Sequence, residues 1–326
     1  VVHVTTIGFH CSHEQLSPDR LLLAVQQAER SGFDAAMCSD HLAPWGVAQG
    51  ESGHAWTWLG AALATTRLPF GVVTAPGQRY HPAVAAQAIA TLGILFPGRF
   101  WAALGSGEAM NEHITDDPWP PKDVRDERWD AAADAIARLL AGEEVSADGL
   151  VRIDRAQVWS LPEVPPPLYA AAVGPATARR AAAWAEGLVT VHGERDAMRE
   201  VIDAYRDAGG LGPCLLQLHL AWAPSDGEAI AIAHDQWRHA VAVRPPETWD
   251  IDDPREFDRR SARVTLDEVR EALVVEHEPR RLADRIAHAV EAGFDGVYLH
   301  QVAKDQAPFL ALAERELLPA LRERLA

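Results

Sequence analysis

The sequence predicts an α/β fold, a (β/α)8 TIM barrel with insertions, and three observations carry that expectation. Strand-like apolar runs alternate strictly with helix-spaced segments, the alternation yields eight strands each followed by a helix, and 326 residues suit such a barrel once insertions are added. A faint internal echo agrees. Ala28-Glu29-Arg30-Ser31-Gly32-Phe33-Asp34 resembles Val290-Glu291-Ala292-Gly293-Phe294-Asp295, each reading as a helix end, a glycine C-cap and a strand entry.

The elements follow in order. His3 to Phe9 is a β-branched strand ending at His10. Ser17-Pro18 then opens a helix over Arg20 to Arg30, with serine at the cap and proline at the first helical position. Phe33 to Cys38 is the second strand, ending in Ser39-Asp40-His41. Trp56 to Thr66 has helical spacing, Leu68 to Val73 is the third strand, and Pro82 to Leu95 is an apolar helix. Phe100 enters the fourth strand, which runs into Gly105-Ser106-Gly107-Glu108, a tight turn and helix start. Further helices are predicted near Glu127 to Leu140 and at Ala176 to Ala185, Asp196 to Ala208, Asp226 to Val241, Arg281 to Ala292 and Gln306 to Arg324. The remaining strands are Leu168 to Val173, Leu188 to Val191, Cys214 to Trp222 and Gly296 to His300. Gly142 to Pro167, with room for a hairpin, and Ala242 to Pro279 read as insertions, and no linker marks a second domain, so residues 1–326 read as one barrel domain.

Composition narrows the function. A net charge of -17 and only two lysines, Lys122 and Lys304, argue against nucleic acid or an anionic membrane as partner and favour a small molecule. Cys11, Cys38 and Cys214 show neither a C-x-x-C pattern nor a disulfide-like spacing. The most apolar run, Ala83 to Phe96, is interrupted by Gln87 and Thr91, and no signal sequence is visible, so a cytoplasmic protein is expected.

In a barrel of this kind the C-terminal ends of the strands form the working rim. There fall His10, His13 and Glu14, then Asp40 and His41, then Glu108, with Asn111 one helical turn beyond it. Imidazole beside carboxylate suits acid–base chemistry near neutral pH, and the same residue types could ligate a divalent ion. No metal is assigned. Gly107 allows close backbone approach to a ligand, and Trp45, Trp56 and Trp58 could wall a pocket. Val173-Gly174-Pro175-Ala176-Thr177 is a strand-to-helix turn whose free N–H groups would suit a phosphate.

Five ordered motifs extend this reading over nearly the whole chain. Gly8-Phe9-His10-x-Ser12-x-Glu14-Gln15, Ser39-Asp40-His41-x-x-Pro44-Trp45, Arg79-Tyr80-His81-Pro82-Ala83, Gly105-Ser106-Gly107-Glu108-Ala109-Met110-Asn111-Glu112 and Ile251-Asp252-Asp253-Pro254 resemble the F420-dependent glucose-6-phosphate dehydrogenases, which belong to the bacterial-luciferase-like flavin oxidoreductases. The stretch Leu68 to Val73 through Pro76-Gly77-Gln78-Arg79 resembles a sister branch that uses FMN, which leaves FMN and F420 level as cofactor. The resemblance implies that His41 is the base, Glu108 the acid near the flavin ring, and that Trp45 and Glu14 position the substrate. It places Asp40 and Asn111 at the ring system and Ala172, Val173, Gly174, Pro175 and Ala176 at the cofactor phosphate. A cis peptide between Val72 and Val73, with Thr74 and Gly107 nearby, would support the central ring, and a homodimer is implied.

One departure bears on the substrate. The cations that hold the sugar phosphate in that family correspond here to Glu194, Thr248 and Ala272, so an unphosphorylated alcohol or sugar is expected. Competing expectations are an FMN-dependent luciferase-like monooxygenase, a metal-dependent barrel isomerase using His10, His13, Glu14, Asp40 and Glu108, and a flavin-binding protein without turnover.

Overall fold

The structure, a computed structural model, describes residues 5–115 and 117–325. Eight parallel strands close on themselves, with helices between them on the outside. In chain order they are Thr6–Cys11, Ala35–Ser39, Phe70–Thr74, Phe100–Leu104, Leu168–Ala171, Leu188–Val191, Cys214–Trp222 and Gly296–Gln301. Each pairs with its neighbours in sequence, and the eighth pairs with the first through Thr6↔Gly296 to Phe9↔Leu299. The fold class and all eight predicted strands are therefore present. The first strand reaches Cys11, which places His10 inside the barrel wall, and the predicted start at His3 lies outside the described residues.

The sequence echo has a physical origin. Gly32 and Gly293 end their helices at φ 96 and 123, a left-handed conformation that glycine adopts without a Cβ penalty. The aspartate two residues later satisfies a strand-start N–H on the adjacent strand. Asp34 Oδ2 accepts from Ile7 N at 3.0 Å, and Asp295 Oδ2 accepts from Cys214 N at 2.7 Å.

Helix boundaries differ from expectation mainly at caps. Lys122–Leu140 begins earlier than predicted, Pro175–Ala181 ends earlier, and the stretch expected as one helix from Asp226 divides into Asp226–Trp237 and His239–Ala242. The first insertion contains the expected hairpin, Val145–Asp148 against Arg152–Ala156. The second is more structured than its charged sequence suggests, with helices Pro254–Ser261 and Leu266–Ala272 followed by a short strand, Val274–Glu276. Asp253 caps the first of these helices, a Thr265–Glu268 capping box starts the second, and the strand extends the sheet along Leu220 to Trp222.

The expected cis peptide between Val72 and Val73 is not present; the cis bond among the described residues is Pro245–Pro246. Both valines are paired on each side, Cys38↔Val72 and Ser39↔Val73 on one, Val72↔Ala102 and Val73↔Ala103 on the other. A trans chain keeps that double ladder in register.

Inside the barrel, Ala35, Met37, Trp101, Ala103, Val189, Leu215 and Tyr298 form an apolar plug. Two glycines make room for its large rings. A Cβ on Gly71 would lie 1.9 Å from the Trp101 ring, and one on Gly8 would lie 2.3 Å from the Tyr298 ring. Among the described residues no helix is long and apolar enough to cross a membrane.

Gly71→Ala should destabilise the fold by about 1 to 3 kcal/mol through overpacking of a strand hydrogen-bonded on both sides. Chemical denaturation of the variant against the parent checks this, and unchanged stability would mean that the Trp101 ring is free to move.

Candidate active site

Above the plug, the strand ends surround a cavity of about 430 Å³. Its chemistry centres on a buried carboxylate. Glu14 Oε2 accepts from Ser12 Oγ at 2.6 Å, Oε1 accepts from Ser39 Oγ at 2.7 Å, and His41 Nδ1 lies 3.0 Å from Oε1. Burial alone would raise the Glu14 pKa, but the His41 charge and the bonds from His41, Ser12 and Ser39 outweigh it and hold the carboxyl well below its ordinary range. For His41, burial favours the neutral ring, yet the charges of Glu14 and then Glu108 dominate and raise it to about 9.

On its other side His41 Nε2 stands 3.7 Å from Glu108 Oε2. Glu108 follows Gly107, whose φ of 84 turns the chain out of the fourth strand, and its pKa is raised by burial, with His41 opposing. Asn111 steadies the turn: its Nδ2 donates to Glu108 Oε2 at 3.2 Å and its Oδ1 accepts from Leu42 N at 2.8 Å. Asp40 is held by Thr74 Oγ1 at 2.8 Å and by the Arg79 guanidinium, which also faces Glu112. Burial pushes Glu112 up to about 7 despite Arg79.

The cavity brings together most of the residues singled out in the sequence. Glu14, Asp40, His41, Trp45, Val73, Thr74, Gly107, Glu108, Asn111, Ala172 and Val173 all line it. Val72 does not. Side chains alternate along a strand, so Val72 packs outward between barrel and helices while Val73 faces in. Gly174, Pro175 and Ala176 lie just outside the lining, between Val173 and Thr177. His13 is buried against the edge of Trp58, and Trp56 packs on Phe100, so neither Trp56 nor Trp58 walls the pocket. Thr248 and Ala272 reach the cavity, whereas Glu194 is an exposed residue before helix Arg195–Asp207.

Several lining residues carried no sequence signal strong enough to single them out. Gln217 and His219 alternate with leucines on the seventh strand, a pattern that marks an inward polar face. Trp237 and His239 come from the two helices after the seventh strand, and Trp249 and Phe257 from the second insertion, where no periodicity points inward. Among the described residues no group of three or more His, Cys, Asp or Glu is arranged to hold a metal ion.

The family model for luciferase-like monooxygenase matches residues 1–296. The chain belongs to this family. It is 36% identical over 98% of both chains to an F420-dependent glucose-6-phosphate dehydrogenase of Beutenbergia cavernae, and 33% identical over 98% of both chains to one from Microbacterium testaceum. A solved F420-dependent secondary alcohol dehydrogenase, in complex with an F420-acetone adduct, superposes with a TM-score of 0.88 at 27% identity, covering 97% of this chain and 99% of the other. This luciferase-like protein is an oxidoreductase.

Replacing Glu14 by Gln removes the nearest anion from the His41 imidazolium, so the His41 midpoint should fall from about 9 by about 1 to 3 pH units. Imidazole NMR titration of the parent and Glu14→Gln proteins measures the change, and an unmoved midpoint would assign the raised value to Glu108 instead.

Proposed function

We propose that this chain is an F420-dependent dehydrogenase that oxidises an unphosphorylated alcohol at His41. The observation that carries the substrate class is the charge distribution in the cavity. Its lining cations among the described residues are Lys122 and Arg125, and both are already paired, Lys122 with Asp126 at 2.7 Å and Arg125 with Asp250 at 3.1 Å. Thr248, Ala272 and Leu273 offer a phosphate dianion no charge, and carboxylates Glu14, Asp40, Glu108 and Glu112 surround the rest. Each missing charge-assisted bond removes about 1.5 to 3 kcal/mol from binding of a phosphorylated substrate. The named activity of the two curated relatives favours glucose 6-phosphate as a second reading, and the alcohol dehydrogenase likeness favours the first.

The flavin-type cofactor is taken to be F420, because the three relatives named above, at 36%, 33% and 27% identity, carry that name while sequence alone left FMN level with it. The donor set fits such a group. Thr74, Asn111 and the backbone at Gly107 flank one wall, and Ala172, Val173 and Thr177, around the turn into helix Pro175–Ala181, line another. When bound, this group supplies a hydride acceptor.

The chain's own task is the proton. His41, in its neutral form, takes the hydroxyl proton as the carbinol hydrogen leaves as hydride, and the Glu14 anion stabilises the imidazolium that results. In the reverse direction the same imidazolium protonates the carbonyl oxygen. Trp45, edge-on to His41 at 5.2 Å, limits where the carbinol can sit, and Glu108 stands on the far side of the ring.

Alcohol oxidation should therefore accelerate as pH rises toward about 9, where His41 loses its proton, and ketone reduction should decline over the same interval. Initial rates in both directions across pH 6 to about 10 check the sign. His41→Ala should lower turnover about 100-fold or more with a smaller change in cofactor affinity. Purified protein should bind F420 more tightly than FMN in a side-by-side titration and reduce it with 2-propanol; efficient reduction by glucose 6-phosphate would establish the second reading.

A further inference from the structure

Opposite the side ascribed to the cofactor phosphate, the cavity carries a continuous wall of imidazole and indole rings. Centroid separations run 5.2 Å from His41 to Trp45, 5.9 Å to His239, 5.0 Å to Trp237, 4.5 Å to His219, 5.0 Å to His300 and 4.7 Å to His10. All of these residues line the cavity. The last three sit at one level on adjacent strands: His219 pairs with His300, and His10 follows Phe9 as His300 follows its partner Leu299.

The hydrogen bonds fix which ring atoms remain open. Gln15 Nε2 donates to Val302 O and, at 3.2 Å, to Gln236 Oε1, so its Oε1 must be the acceptor facing His300 Nε2 at 2.6 Å. His300 thus donates from Nε2 and accepts at Nδ1. His219 Nδ1, 2.8 Å from His300 Nδ1, is then the donor, which leaves His219 Nε2 as a lone-pair acceptor without a protein partner among the described residues. His10 Nδ1 has no accessible surface and no protein partner among the described residues, and His10 Nε2 faces Gln217 Nε2 at 3.4 Å, so His10 closes the wall without offering an open nitrogen. Burial keeps these rings neutral: His10 is pushed down to about 4, His239 to about 3, and His219 and His300 well below the usual imidazole range. Neutral rings with open nitrogens between indole faces match hydroxyl groups set on a carbon ring, since each hydroxyl both donates and accepts while C–H faces pack on the indoles.

We infer that His219 and His239, with Trp45 and Trp237, form a subsite that selects an uncharged polyol, such as an unphosphorylated pyranose or cyclitol, as the alcohol presented to His41. This rests on the dehydrogenase reading above and narrows its substrate class. His219 is the specificity residue, held in the required tautomer by the Gln15–His300 relay.

The test compares 2-propanol with D-glucose and myo-inositol as reductants of F420 by the full-length protein. At least one of the two polyols should exceed 2-propanol in kcat/KM by tenfold or more. His219→Phe should raise the polyol KM at least tenfold, more than it lowers kcat, while His219→Gln, which keeps an acceptor, should recover part of the loss. If 2-propanol reduces F420 but the polyols do no better, the subsite is overturned and the dehydrogenase reading stands. An equal loss of F420 affinity in His219→Phe also overturns it, because the relay would then serve the cofactor. If F420 is neither bound nor reduced, the dehydrogenase reading fails, and tryptophan fluorescence titration of the protein with each polyol decides the subsite: saturable binding weakened by His219→Phe supports it, and no binding to either polyol rejects it.

Discussion

The site depends on one interaction, the burial of Glu14 as an anion against His41. A lone carboxylate in this position would be neutralised by desolvation. Here both oxygens are committed, to Ser12 beyond the first strand and to Ser39 at the end of the second, and His41 completes the shell. The contact therefore joins two strand ends and sets the protonation state of the ring between them. A second buried group, Asp40 with Arg79 and Glu112, joins the segments that follow the second, third and fourth strands. The backbone turn that carries Glu108 and Asn111 is held between the two.

This gives the cavity an electrostatic division. His41 has carboxylates on both sides and is raised to about 9, whereas the imidazoles on the seventh and eighth strands and His10 have no anion among the described residues in hydrogen-bonding contact and are lowered by burial. Identical side chains thus differ in charge state: His41 is shifted toward its imidazolium, and burial favours the neutral ring in the others.

The second insertion supplies much of the remaining cavity wall. Its segments bring Trp249, Phe257, Thr248 and Ala272 to the cavity, and Trp45 packs between His239 and Phe257. The insertion's contribution to the lining is thus uncharged and partly aromatic. The barrel repeat places the strand-end residues, and a segment outside that repeat completes the wall around them.

Sequence by itself determined the eight-stranded barrel, because strict alternation and glycine C-caps are local signals that need no distant partner. It also located His41, Glu14, Glu108, Asn111 and Trp45, since strand-end motifs in a barrel converge wherever their strands are placed. The tertiary structure alone decided which neighbours face them. Val72 and Val73 are equivalent in sequence, and only the strand's orientation turns one outward and the other into the cavity. His10, His219 and His300 lie far apart in the chain and become one layer through closure of the eighth strand on the first. Charge state is likewise a tertiary property: histidines share one intrinsic pKa, and burial and the nearest carboxylate, neither of which local sequence encodes, separate His41 from His10, His219, His239 and His300.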